Sequence, residues 1–353
     1  MKSPIAAQRL LRGTDYRPPR WLRNPHLQSV LSSSSSLLRR VALRRRARFV
    51  AQVTHTEVLD VDGGVRLQGF HSAQQVLPER RGLVILLHGW EGSAQSNYVV
   101  DTAAALLGAG YEVYRLNFRD HGDSHALNPE PFHSCRLDEV VAAAAQVCAR
   151  PGAGLRAIAG FSLGGNFALR VARAAPARGI ELDYALAVCP VVDPAAGLRQ
   201  LEQGRLYHAY FMRKWRSSLR HKQALFPARM LVSREELALN MRGLTRALVL
   251  RYTEFGTLDA YLDGYSIAGD RLATLQVPAT ILTAADDPVI PVADFRAMQL
   301  PDCVELDIAT HGGHCGFLTG AGLHSFVEDY LVARLHARAA ELARMPAHAA
   351  RHA

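Results

Sequence analysis

Lysine is nearly absent. It occurs only at positions 2, 214 and 222, so the net charge of +9 over 353 residues comes almost entirely from arginine. Cysteine is sparse as well: five residues, at 135, 148, 189, 303 and 315, without the close spacing of a zinc or redox motif. That excludes a disulfide-stapled scaffold and fits a reducing compartment. Cys148 and Cys189 lie in apolar runs and read as small core hydrophobes. No run approaches the roughly 20 apolar residues that span a bilayer. The first twenty residues lack the apolar stretch and cleavage site of a signal peptide, and no Asn-x-Ser/Thr sequon occurs. A cytoplasmic protein is expected, peripheral to a membrane at most.

Missing motifs narrow the chemistry. There is no His-Glu-x-x-His, no Cys-x-x-Cys and no phosphate-binding G-x-x-x-x-G-K-S/T, so no metal or cofactor is expected. Gly108-Ala109-Gly110 begins like a dinucleotide fingerprint but precedes a strand instead of following one. His121, His125 and His133 lack ligand spacing and read as loop or surface residues. No zinc finger, RNA-binding aromatic motif or helix-turn-helix supports nucleic acid. Arg39, Arg40, Arg44, Arg45, Arg46 and Arg48 crowd into ten residues; a solvated basic segment is preferred over a nucleic-acid or anionic-lipid patch.

What is present is an ordinary globular composition, 49% hydrophobic and 21% charged. Residues 1–50 read as an irregular basic lead-in containing the run Ser32 to Ser36. Two strands follow, joined at Asp62-Gly63-Gly64, a hairpin signal. Strand-like and helix-like segments then alternate: LVILLHG, YEVYRLNF, LRAIAGF and DYALAVCPVV as strands, with helices near 98–109, 136–150 and 163–175. Residues 195–276 are helical, after which VPATILTA and CVELDIA resume the strands and a helix covers 322–344. Repeated βα units predict an α/β fold, a mostly parallel sheet with helices on both faces. The core is expected over 51–194 and 277–346, with 195–276 inserted as a helical cap and 347–353 a frayed tail.

The strongest motif is Gly160-Phe161-Ser162-Leu163-Gly164. It closes an apolar strand and opens an alanine-rich helix, the context a nucleophile elbow requires. The alternative, an idle serine in a glycine-rich turn, is disfavoured by that context. Chain order Ser, acid, His is then expected, each on a loop after a later strand. Asp286-Asp287 follows VPATILTA, and His311-Gly312-Gly313-His314 follows CVELDIA. His314 is preferred over His311 as general base, and Asp287 is chosen to orient it while Asp286 caps the turn. The oxyanion donors should be the N–H groups of Leu163 and of Trp90, in the loop His88-Gly89-Trp90-Glu91-Gly92. His88 reads as a structural residue of that loop.

With these residues placed, the chain resembles an α/β-hydrolase. More narrowly, it resembles the subfamily of bacterial YheT-type hydrolases, mammalian α/β-hydrolase-domain lipases and yeast medium-chain ethanol acyltransferases. The narrower likeness rests on the stretch from Pro18 to Gln28, on Asn117 to Ser124, on Gly160 to Asn166, on Asp286-Asp287-Pro288 and on Gly312 to Phe317. It implies catalytic roles for Ser162, Asp287 and His314 and an acyl ester or lipid substrate. Relatives more often carry a leucine–threonine pair between Gly89 and Gly92 and a small residue or cysteine at His121, departures that bear on acyl preference. The cap offers Tyr207, Phe211, Trp215 and Leu219 as one helical stripe. Packing of the cap onto the body is the plainer reading; lining of an acyl pocket by Tyr207, Phe211 and Trp215 is the sharper one. The same acyl-enzyme could pass its acyl group to an alcohol, and a non-catalytic binding protein is disfavoured because every expected position is filled.

Overall fold

The computed structural model describes residues 11–78 and 80–344, so the expected tail at 347–353 lies outside the described residues. Nine strands form one sheet among them: β1 (Leu11–Gly13), β2 (Thr54–Val61), β3 (Val65–Ser72), β4 (Gly82–Leu87), β5 (Tyr111–Leu116), β6 (Leu155–Phe161), β7 (Tyr184–Val188), β8 (Ala279–Ala284) and β9 (Val304–Ala309). Their order is β1-β9-β8-β7-β6-β4-β5-β3-β2, and only β3 runs against the others. Strands β4, β7 and β8 are buried at every position, which is why their sequences are apolar but for Thr280 and Thr283 of β8. The hairpin β2–β3 turns at Asp62–Gly64, where Gly63 and Gly64 take positive φ.

Helices cover both faces. On one lie α5 (Leu137–Cys148) and α6 (Leu163–Ala174), which bury Val140, Val141, Phe167 and Leu169 against the sheet. On the other lie α4 (Asn97–Gly108) and α13 (Phe326–Arg344), which bury Val99, Leu106, Val327 and Leu331. Between β7 and β8 come α7 (Pro194–Gln203), α8 (Arg205–Leu225), α9 (Arg234–Ala238), α10 (Met241–Tyr252) and α11 (Leu258–Gly264). They enclose an apolar cluster of their own around Met212, Met230, Met241 and Leu244. Two of the chain's three lysines join this cap to the body. Lys222 is buried, 2.6 Å from Asp120, and also donates to the carbonyls of His125 and Asn128. Lys214 donates to the carbonyl of Glu91.

The lead-in is not irregular. It contains β1, paired in parallel with β9, and three helices: α1 (Pro25–Ser32), α2 (Leu37–Ala42) and α3 (Arg44–Gln52). Asn24 caps α1, accepting from the N–H groups of His26 and Leu27, and Ser36 caps α2. Caps and a proline in the first helical turn look like loop residues when each helix is only two turns long. The basic segment is not wholly solvated either. Arg39 is fully buried, 3.2 Å from Asp101 and 3.3 Å from Glu328, and Arg46 also pairs with Asp101. Arg40, Arg44, Arg45 and Arg48 are exposed. No helix of the described residues is long and apolar enough to cross a membrane.

Candidate active site

Ser162 stands at the junction of β6 and α6 with φ 53° and ψ −118°, a conformation costly for any residue with a Cβ. The turn closes only because its neighbours are glycines. A Cβ on Gly160 would lie 2.1 Å from the carbonyl oxygen of Gly164, and one on Gly164 would lie 2.4 Å from that of Leu87. The Ser162 N–H donates to Val188 O at 2.9 Å, tying the turn to the end of β7. Beyond β4, Gly92 N–H donates to Gly89 O, and a Cβ on Gly89 would approach Ser162 Cβ to 3.3 Å. Among the described residues no hydrogen bond takes up the N–H of Trp90 or of Leu163, and both residues share a cavity with Ser162. Two backbone donors beside the hydroxyl are what a developing oxyanion requires.

Loops after β8 and β9 complete the geometry. His314 Nε2 lies 2.9 Å from Ser162 Oγ, and His314 Nδ1 lies 2.9 Å from Asp287 Oδ2. The Asp287 side chain is fully buried, and its other oxygen accepts from Val289 N–H at 2.8 Å and Ile290 N–H at 3.0 Å. Asp286 turns away: it accepts from Gly313 N–H at 2.9 Å and sits 3.3 Å from His311 Nδ1. Of the adjacent pairs, the structure thus joins Asp287 to His314 and Asp286 to His311. Burial pushes the His314 imidazole down, but the Asp287 charge, with Cys315 and the Asp287 hydrogen bond, outweighs it and holds the pKa up at about 9. His88 is fully buried, its Nδ1 2.8 Å from Gly89 O and its Nε2 accepting from Phe118 N–H, and burial pushes it down to about 4. It is a neutral strut of the loop, as expected.

Two features have no signal in local sequence. The His314 N–H donates to Ser29 Oγ at 2.8 Å, and Ser29 donates on to Pro25 O. One residue earlier, buried Gln28 donates to Tyr16 OH and Leu22 O and accepts from Leu318 N–H, all within 2.8 Å. Helix α1 therefore braces the loop that carries His314, which gives the stretch from Pro18 to Gln28 a physical role. The cysteines also depart from expectation. Cys189, after β7, and Cys315, after His314, come together, and their sulfurs and a ring nitrogen of His314 lie within 4.8 Å of one another. Cys189 is buried in the core, as its apolar run implies, and it also stands beside the site. Spacing in the chain could not reveal this, because the two thiols meet only through strand order.

Two cavities meet at Ser162. The larger, about 220 Å³, lies between α1 and α8 and is lined by Ser29, Val30, Tyr207, Phe211, His314 and Cys315 among others. The second, about 140 Å³, runs under the cap and is lined by Leu163, Val191, Leu198, Trp215, Met241 and Ile290 among others. Phe211 and Trp90 line both, stacked with ring centroids 5.3 Å apart, and Trp215 meets Trp90 edge-on. The cap stripe is therefore divided: Tyr207 and Phe211 reach the larger cavity, Trp215 the smaller, and Leu219 is buried in the cap itself.

Known proteins resemble this chain in sequence and in fold. The chain is 27% identical over 347 residues to the Escherichia coli (strain K12) protein named "Putative esterase YheT", covering 92% of this chain and 95% of that one. The Pyrococcus furiosus esterase Pf2001 superposes with a TM-score of 0.54 at 16% identity, over 82% of this chain and 90% of the other. Brefeldin A esterase, described as a bacterial homologue of human hormone sensitive lipase, gives 0.53 at 16% identity over 88% of each chain. The profile of the alpha/beta hydrolase family matches residues 84–325, from β4 through the loop that carries His314. That span holds the elbow, the cap, most of β4 and strands β5 to β9, and the chain belongs to the alpha/beta hydrolase family.

Proposed function

We propose that the chain hydrolyses carboxylic esters through an acyl-enzyme on Ser162. The observation that carries this reading is the unbroken line from Ser162 Oγ to His314 Nε2 and from His314 Nδ1 to Asp287, 2.9 Å at each step. In the neutral imidazole Nε2 takes the hydroxyl proton while Oγ attacks the ester carbonyl carbon. The carbonyl oxygen becomes an oxyanion facing the N–H groups of Trp90 and Leu163. The carbon–oxygen bond then breaks, and the alcohol leaves with the proton from His314. Water repeats the sequence on the acyl-enzyme, releasing the acid and restoring Ser162. The name of the E. coli relative supports the same activity.

The cavities favour an apolar acyl group, because Phe211, Trp215, Leu198 and Met241 offer hydrocarbon where few polar partners exist. The lead-in suits a lipid–water interface. Leu37, Leu38 and Val41 are about two-thirds exposed, and the exposed Arg40, Arg44 and Arg45 lie close to them in the chain, while Leu206 of the larger cavity is 60% exposed. The test is a fluorophosphonate probe combined with p-nitrophenyl esters of increasing chain length. Labelling of Ser162 alone, with ester turnover lost in Ser162→Ala, is the expected result. Labelling that persists in Ser162→Ala defeats the assignment.

A further inference from the structure

We infer that Cys189, Cys315 and His314 form a site for one thiophilic cation, Zn²⁺ or Cd²⁺ by its chemistry, and that occupancy silences Ser162. The two sulfurs and a ring nitrogen of His314 already lie within 4.8 Å of one another. Tetrahedral zinc with Zn–S bonds of about 2.3 Å holds its sulfurs roughly 3.8 Å apart, so closure needs a contraction of about an ångström or less. Two thiols and an imidazole select soft or borderline ions and reject Mg²⁺ and Ca²⁺. The surroundings are those of a supported ligand set. Asp287 fixes Nδ1 of His314 at 2.9 Å, the carboxylate–histidine arrangement that orients a metal-binding imidazole and leaves Nε2 for the ion. Access exists too, since His314 and Cys315 line the larger cavity together with Ser162, while Cys189 closes the site from behind.

Binding releases the two thiol protons and, at neutral pH, the proton of the His314 imidazolium to solvent, and places the cation on the Nε2 lone pair. Ser162 Oγ, 2.9 Å away, then has no base to take its proton. A fourth ligand would come from water, as at a site with three protein ligands. The inhibition rests on the ester-hydrolase reading above; the binding does not.

The full chain is titrated with Cd²⁺ while the ultraviolet thiolate-to-cadmium charge-transfer band is recorded. One Cd²⁺ per chain is expected, displaced by Zn²⁺ and unaffected by Mg²⁺. The band should vanish in Cys189→Ala and in Cys315→Ala and persist in Cys148→Ala and Cys303→Ala. In ester assays Zn²⁺ should inhibit the parent, and Cys189→Ala should raise the half-inhibiting concentration at least about tenfold. A third measurement uses only the parent protein: Zn²⁺ should slow iodoacetamide alkylation of Cys315, read by mass spectrometry. No band in the parent, a band that survives Cys189→Ala, or equal Zn²⁺ inhibition of parent and Cys189→Ala overturns the site. A chain that binds one Cd²⁺ at these thiols but cleaves no ester refutes the hydrolase reading and leaves the cation site standing.

Discussion

Asp286 and Asp287 are neighbours with the same chemistry, and their surroundings assign them different work. Asp287 accepts two backbone N–H groups on one oxygen and offers the other to His314, whereas Asp286 holds Gly313 and His311. Asp287→Asn should therefore lower turnover by about 10⁴, since an amide favours the wrong imidazole tautomer, while Asp286→Asn should be far milder. Steady-state kinetics of both variants checks this, and the reverse ranking transfers the role to Asp286. The same ion pair sets the pH profile. With His314 held at about 9, the free base grows as pH rises, so kcat/KM should climb from pH 7 towards 9. Ser162, Asp287 and His314 were legible in the sequence because each sits at a strand end with a local signature. Ser29 and Cys189 were not, because what they do depends on partners brought together only by the tertiary fold.

Helix α8 carries two tasks on one face. Lys214 and Lys222 bond it to the body, and beside them Tyr207 and Phe211 line the cavity at Ser162. Lys222→Met should cost about 3–5 kcal/mol, because Asp120 and the carbonyls of His125 and Asn128 are left buried without their cation. Chemical denaturation measures it, and a loss below about 1 kcal/mol would show the bond to be an exposed-type pair. Phe211 lies between the two cavities, so Phe211→Ala should join them and favour longer acyl chains. The ratio of long-chain to acetyl kcat/KM should rise about tenfold, the effect of roughly two methylenes at ~0.8 kcal/mol each. An unchanged chain-length profile in a folded variant would make the ring packing alone. Central strands and body helices were readable from continuous apolar runs and helical period. Helices α1 to α3 were not, since pieces of six to nine residues lack the length for a clear period and draw their order from docking.

Across the whole molecule, buried titratable groups fix how stability responds to pH. Burial raises Glu91 to about 7 and Glu328 to about 8, each only partly offset by nearby cations, and the balance of burial against the Asp287 charge raises His314 to about 9. Each binds its proton more tightly folded than unfolded, so each removes stability as pH rises: Glu91 from 4.5 to 7, Glu328 from 4.5 to 8, His314 from 6.5 to 9. His88 at about 4 and His133 at about 3 act oppositely, kept neutral mainly by burial, and add stability only up to pH 6.5. Above 6.5 the falling contributions are opposed by Cys315, whose thiol, against its burial, is held below the ordinary range by the Cys189 hydrogen bond and by His314. Tm should drop on the order of 5 °C between pH 6.5 and 9 by calorimetry, and a flat or rising Tm would refute the assignment.

Pairing of β1 with β9 also orders events in time. On the ribosome the lead-in emerges well before the strand that receives it and the His314 loop that α1 braces. Until then Gln28 and Ser29 have no Leu318 or His314 to hold, and Ser162 has no imidazole beside it. Chemistry of the proposed kind therefore waits for synthesis of the loop after β9 and its docking on α1.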